Sequence, residues 1–70
     1  MNTDPPDILL TREGSGLCLL HPKTDAGRAW LAESLPESTL RWGAAYAIET
    51  RCIEPILHGL DNAGLCVEVA

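Results

Sequence analysis

Cys18, His21, Cys52, His58 and Cys66 are the side chains of this sequence best suited to chemistry. Cys18 and His21 have the spacing C-x2-H, Cys52 and His58 the spacing C-x5-H, and Cys66 is left over. A structural zinc held by such ligands would help a small chain to fold. The spacing does not favour it. Residues three apart in a strand point to opposite faces, so Cys18 and His21 diverge if one strand runs through both. Six positions along an α-helix amount to about 600° of rotation, which sets Cys52 and His58 well apart. No CxxC pair is present. A thiol nucleophile with a histidine base would use the same residues, and it needs them to converge in a cleft. There is no G-x-S-x-G elbow, and so short a chain leaves little room for a substrate pocket. The cysteines read better as small apolar filler and the histidines as solvated groups. Metal-binding or thiol-dependent chemistry at Cys18, His21, Cys52 and His58 is therefore the alternative reading. The preferred one is a non-enzymatic protein without a cofactor.

Two polar features complete the candidates. Gly14-Ser15-Gly16 has the composition of a phosphate cradle, but it precedes a strand and lacks the P-loop lysine, so it reads as a turn. Glu49-Thr50-Arg51 lies at an expected junction of strand and helix. There Glu49 and Arg51 can pair or fix the entry to the helix, and an exposed pair of this kind contributes less than about 1 kcal/mol.

The totals narrow the function classes. The chain has 70 residues, enough for one domain, and a core of that size rarely supplies more than about 3–5 kcal/mol unaided. Its 46% hydrophobic content argues against intrinsic disorder. The formal net charge of −5, with cations scattered from Arg12 to Arg51, disfavours direct nucleic-acid binding. Three cysteines cannot all pair within the chain, which points to reduced thiols and a cytoplasmic setting. Residues 1–7 carry acids where a signal peptide needs bases, and no apolar run is long enough for a membrane span.

The pattern along the chain predicts the elements that position these residues. Residues 1–7 read as a flexible leader, and 8–70 as a single domain. Ile8 to Glu13 and Leu17 to His21 form a hairpin about the Gly14-Ser15-Gly16 turn, ended by Pro22. Thr24 caps a helix from Asp25 to Leu35, with Ala26, Trp30, Leu31 and Leu35 on one stripe. Leu40 to Glu49 alternates strictly, with Leu40, Trp42, Ala44, Tyr46 and Ile48 on one side. A second helix over 51–63 carries Ile53, Ile56, Leu57 and Leu60, with Pro55 confined to its first turn and Gly64 after its end. Leu65 to Val69 is the last strand.

The predicted fold is α+β, in the order β-β-α-β-α-β. It is a two-layer sandwich of a four-stranded mixed sheet with two helices on one face. Residues 40–69 make a β-α-β unit whose crossover is right-handed if its strands are parallel. The bulky side of the third strand, including Trp42, is expected in the core. Its other side, Gly43, Ala45 and Ala47 with Arg41, Glu49 and Arg51 at the ends, is then an uncovered small-residue face and the candidate interface.

The stretches ILLTREG, HPKTDAGRAWL, LRWGAAYAIETR and LDNAGLCVEV together resemble short proteins encoded in bacterial genomes, prophages and plasmids. The matching positions are Pro22, Thr24, Asp25, Trp42, Gly43, Glu49, Arg51, Gly64, Leu65 and Val67. Cys52 stands where those proteins have an aromatic. The resemblance implies a compact α+β module and a phage or mobile-element accessory context, and it implies no reaction.

The functional expectation is a small cytoplasmic interaction module. Its partner is a protein: a second copy in a homodimer, or a host complex with a basic surface. Nucleic acid and membrane are not expected partners.

Overall fold

The computed structural model describes residues 5–14 and 16–70; residues 1–4 of the expected leader, and Ser15 of the expected turn, lie outside the described residues. The elements are β1 (Ile8–Glu13), β2 (Leu17–Pro22), α1 (Asp25–Ser34), β3 (Arg41–Trp42), β4 (Ala45–Glu49), a 3-10 turn (Thr50–Cys52), α2 (Ile53–Asn62) and β5 (Val67–Val69). The α+β class is as expected. The sheet is mixed but has five strands, in the order β3-β4-β2-β1-β5.

Local signals account for the helices. The Thr24 hydroxyl accepts the Gly27 N–H at 3.1 Å and so caps α1. Pro55 falls in the first turn of α2, as its missing N–H requires. The expected start near residue 51 is taken by the 3-10 turn, which delays the α-helix to Ile53. β1 and β2 pair from Ile8↔Pro22 to Glu13↔Leu17, and Gly16 before β2 has φ +81°.

The expected single strand over residues 40–49 is corrected to a hairpin. β3 and β4 pair through Trp42↔Ala45 and Arg41↔Tyr46 about the two residues Gly43 and Ala44. Gly43 has φ +61° and Ala44 does not have positive φ, the pattern of a type II′ turn. The extra strand raises the count from four to five. It also inverts a face. In one continuous strand Trp42 would share a side with Tyr46. Across a two-residue turn it shares a side with Ala45 instead. Leu40, Trp42 and Ala44, expected in the core, are all exposed: Leu40 at 57% and Trp42 at 49%.

The core lies on the other side of the sheet. Ile8 and Leu10 of β1, Cys18 and Leu20 of β2, and Tyr46 and Ile48 of β4 pack with Leu31 of α1 and Ile53 and Leu60 of α2. These strand residues share one parity, so both helices cover one face, here called inner. The helices meet where Trp30 lies on Gly59; a Cβ there would stand 2.8 Å from the indole.

β4 and β5 run in the same direction, but β2 and β1 lie between them. The expected β-α-β unit is therefore a split one. β5 instead pairs in parallel with β1.

Asp7, expected in the leader, is tied into this seam. Its carboxylate accepts the Thr24 O–H at 2.6 Å and the Cys66 N–H at 2.9 Å, and its carbonyl accepts the Lys23 N–H at 2.8 Å. Gly27 faces the same point: a Cβ there would collide with the Asp7 carbonyl oxygen. Its glycine serves close approach of helix and strand.

Candidate functional site

The register lays out the outer face row by row. Leu9 lies between Glu68 and His21; Leu19 lies between Thr11 and Ala47; Leu17 lies between Glu13 and Glu49. Trp42 stands beside Ala45, and the Ala47 N–H donates to the Leu40 carbonyl at 2.9 Å, which continues the same ladder. Leu19, Ala45 and Ala47 form a second apolar cluster that includes no helical residue. Ala45 is only 4% exposed and Ala47 7%, so the small residues are the floor of this face and not an uncovered surface. A short side chain in mid-sheet is shaded by its larger neighbours. What stands proud is Leu40 and Trp42.

The candidate interface therefore divides. Ala45, Ala47 and Glu49 are on the outer face. Gly43 is in the turn. Arg41 is opposite Tyr46 and belongs to the inner side, where its guanidinium lies 4.2 Å from the centre of the Tyr46 ring, a cation–π contact. Arg51 is in the 3-10 turn, 3.3 Å from the Glu49 carboxylate, with both side chains exposed. The face also contains Leu19, Leu40 and Trp42, which the sequence reading placed elsewhere or passed over. The signal was present: Gly-X between two short alternating runs is the mark of a II′ hairpin.

The charged residues at the described outward strand positions are acids only, although Glu49 is paired with Arg51 of the 3-10 turn. Glu13, Glu49 and Glu68 stand at the rim of the outer face, and no lysine or arginine occupies an outward strand position among the described residues. The Thr11 hydroxyl and His21 Nε2 are 3.0 Å apart, a hydrogen bond across the β1–β2 pair.

The residues of the alternative chemistry stay apart. Cys18 is buried on the inner face, with its Sγ 3.6 Å from the Thr50 hydroxyl, while His21 is on the outer face. Cys52 is exposed in the 3-10 turn, Cys66 is exposed before β5, and His58 is exposed on α2. Among the described residues, no three His, Cys, Asp or Glu side chains form a group able to hold a metal ion. No described helix is long and apolar enough to cross a membrane.

No family model, curated protein or solved structure matches the chain.

Proposed function

We propose that this protein is a non-enzymatic interaction module and that the outer sheet face is its contact surface. One observation carries the reading. Leu40 and Trp42 stand half exposed above a floor of Leu19, Ala45 and Ala47, on a face to which neither helix contributes. An exposed aromatic beside a flat apolar floor suits a protein surface better than a small molecule, and aromatic anchors dominate such contacts. The acidic rim selects the partner's charge. Glu13, Glu49 and Glu68 favour a protein whose apolar patch is bordered by lysine and arginine. A second copy would bring the same acidic rim and no complementary one, so a foreign partner is preferred to the homodimer. A cytoplasmic setting and an accessory role in a phage or mobile element belong to the same proposal; they rest on the odd cysteine count and on the resemblance.

Two measurements test it. Light scattering after size exclusion, over a wide dilution range with reductant, is expected to give a monomer. A stable dimer that Ala45→Arg converts to monomer would transfer the face to a second copy. Capture from bacterial lysate is then compared between the wild type, Trp42→Ala and the combined Glu13→Gln, Glu49→Gln and Glu68→Gln variant. Loss of the same captured protein in both variants, and in raised salt, is expected. Equal capture by all three, from a monomeric protein, would remove the outer face from consideration.

A further inference from the structure

A second surface lies at the other end of the sheet. β5 is an edge strand, and its backbone has a definite orientation. The Cys66 carbonyl accepts the N–H groups of Asp7 and Ile8 at 3.0 and 3.1 Å, and the Ala70 N–H donates to the Leu10 carbonyl at 2.9 Å. In a parallel ladder alternate residues turn their backbone groups to the same neighbour. Cys66, Glu68 and Ala70 therefore face β1, and the N–H and C=O of Val67 and Val69 face outward. Among the described residues no strand takes them up. Open edges of this kind are templates for strand addition.

Beside this edge is a groove of about 260 Å³ between β5 and α2, lined by Leu57, Asp61, Leu65, Val67 and Val69. Val69 is 62% exposed. Val67 and Val69 pair with Ile8 and Leu10, so their side chains are on the inner side, toward the groove. A strand added to β5 would send every second side chain to that side. The chemistry of those side chains is set by Leu57, Leu65, Val67 and Val69: they are apolar.

Charge specifies the rest. Glu54, Leu57 and Asp61 fall at i, i+3 and i+7 on α2, so two carboxylates share the stripe that borders the groove. Glu68 points to the outer side of β5. Neither α2 nor β5 contains a lysine or arginine. Antiparallel pairing of β5 with β5 of a second copy, aligned over its full length, would set Glu68 opposite Glu68, which is unfavourable.

We infer that the open edge of β5 takes up an extended basic–apolar segment of another protein as a sixth strand. Its apolar residues enter the groove along α2, and its lysines or arginines, on the outer side, stand opposite Glu68. This contact shares Glu68 with the rim of the outer face but does not depend on Trp42.

The probe is a fluorescein-labelled synthetic peptide that alternates valine with lysine, titrated into the full chain by anisotropy and by 15N–1H spectra. The Val67 and Val69 amides are expected to shift, and raised salt to weaken binding. Val69→Pro removes an outward N–H without touching a bond to β1, a position where an edge strand tolerates proline. It is expected to weaken binding by about tenfold, the scale of one or two lost hydrogen bonds. Val69→Ala keeps the N–H and is expected to cost no more than about threefold. If Val69→Pro does not fold by circular dichroism, the same peptide N-methylated at alternate residues is titrated into wild type, again with about a tenfold loss expected. Absence of binding, or binding indifferent to both proline and N-methylation, would overturn the inference. So would loss of peptide binding in Trp42→Ala with shifts at Leu19 and Ala47, a result that leaves the outer-face reading standing. Failure of that reading in the lysate comparison leaves the peptide titration unaffected.

Discussion

The two faces of the sheet come from the same strands, residue by alternate residue, and are used in opposite ways. On the inner face Ile8, Leu10, Cys18 and Leu20 are sealed by Leu31 and Leu60 from the helices. On the outer face Leu19, Ala45 and Ala47 form a cluster of their own, and Leu40 and Trp42 remain half in water. Burial against a second layer is what stabilises so small a domain. The difference implies that most stability resides on the inner face, and that the exposed Leu40 and Trp42 of the outer face can change with little cost to the fold. Its large apolar side chains are therefore the ones whose presence needs a functional reason.

The comparison breaks most sharply at adjacent residues. Leu20→Ala deletes a fully buried inner side chain and is expected to cost about 2–5 kcal/mol, enough to leave the domain largely unfolded by denaturant titration. A wild-type-like midpoint for that variant would mean that the inner face is not the core. Next comes the seam that holds α1 to β1. Gly27→Ala improves helix propensity by up to about 1 kcal/mol but places a methyl against the Asp7 carbonyl, so a net loss of about 1–2 kcal/mol is expected in the same titration. Trp42→Ala is expected to change stability by less than about 1 kcal/mol while removing partner capture. A large loss of stability there would make Trp42 part of the core after all.

The smallest effect concerns pH. The Thr24 hydroxyl, and after it the Cys66 N–H, hold the Asp7 carboxyl below its ordinary value of 3.8. A carboxylate whose pKa is lowered by folding stabilises the fold fully above the unfolded value, and this contribution is lost as pH falls through the folded one. Asp7→Asn leaves one acceptor oxygen where the carboxylate offers two, one to the Thr24 O–H and one to the Cys66 N–H. The variant should melt below wild type at pH 7, with the gap closing below about pH 3.8. A gap constant from pH 7 to pH 2 would show that the carboxylate's charge has no part in the seam.

Much of the architecture was legible in neighbouring residues. Thr24 followed by Asp25 marked the start of α1 because a cap acts within one turn. Ile53, Ile56, Leu57 and Leu60 marked α2 because its apolar stripe is a local repeat. The glycines around Ser15 marked the first hairpin. The opposite facing of Cys18 and His21 followed from the strand period alone, which is why the sequence itself disfavours the alternative chemistry at Cys18, His21, Cys52 and His58. The set Arg41, Gly43, Ala45, Ala47, Glu49 and Arg51 was only partly legible, because the face each residue takes depends on where the strand ends.

By itself, the sequence determined the α+β class, both helices, the first hairpin, and the split of Tyr46 and Ile48 from Ala45 and Ala47. Each of these follows from spacings of a few residues. Only the tertiary structure decided that Trp42 and Leu40 lie outside the core, that β1 and β2 separate β4 from β5, and that Asp7 closes the seam. A two-residue turn keeps the period of two and inverts the face, so alternation cannot distinguish one long strand from a hairpin. Strand order depends on contacts between residues distant in the chain, such as Asp7 with Cys66, and no local repeat records them.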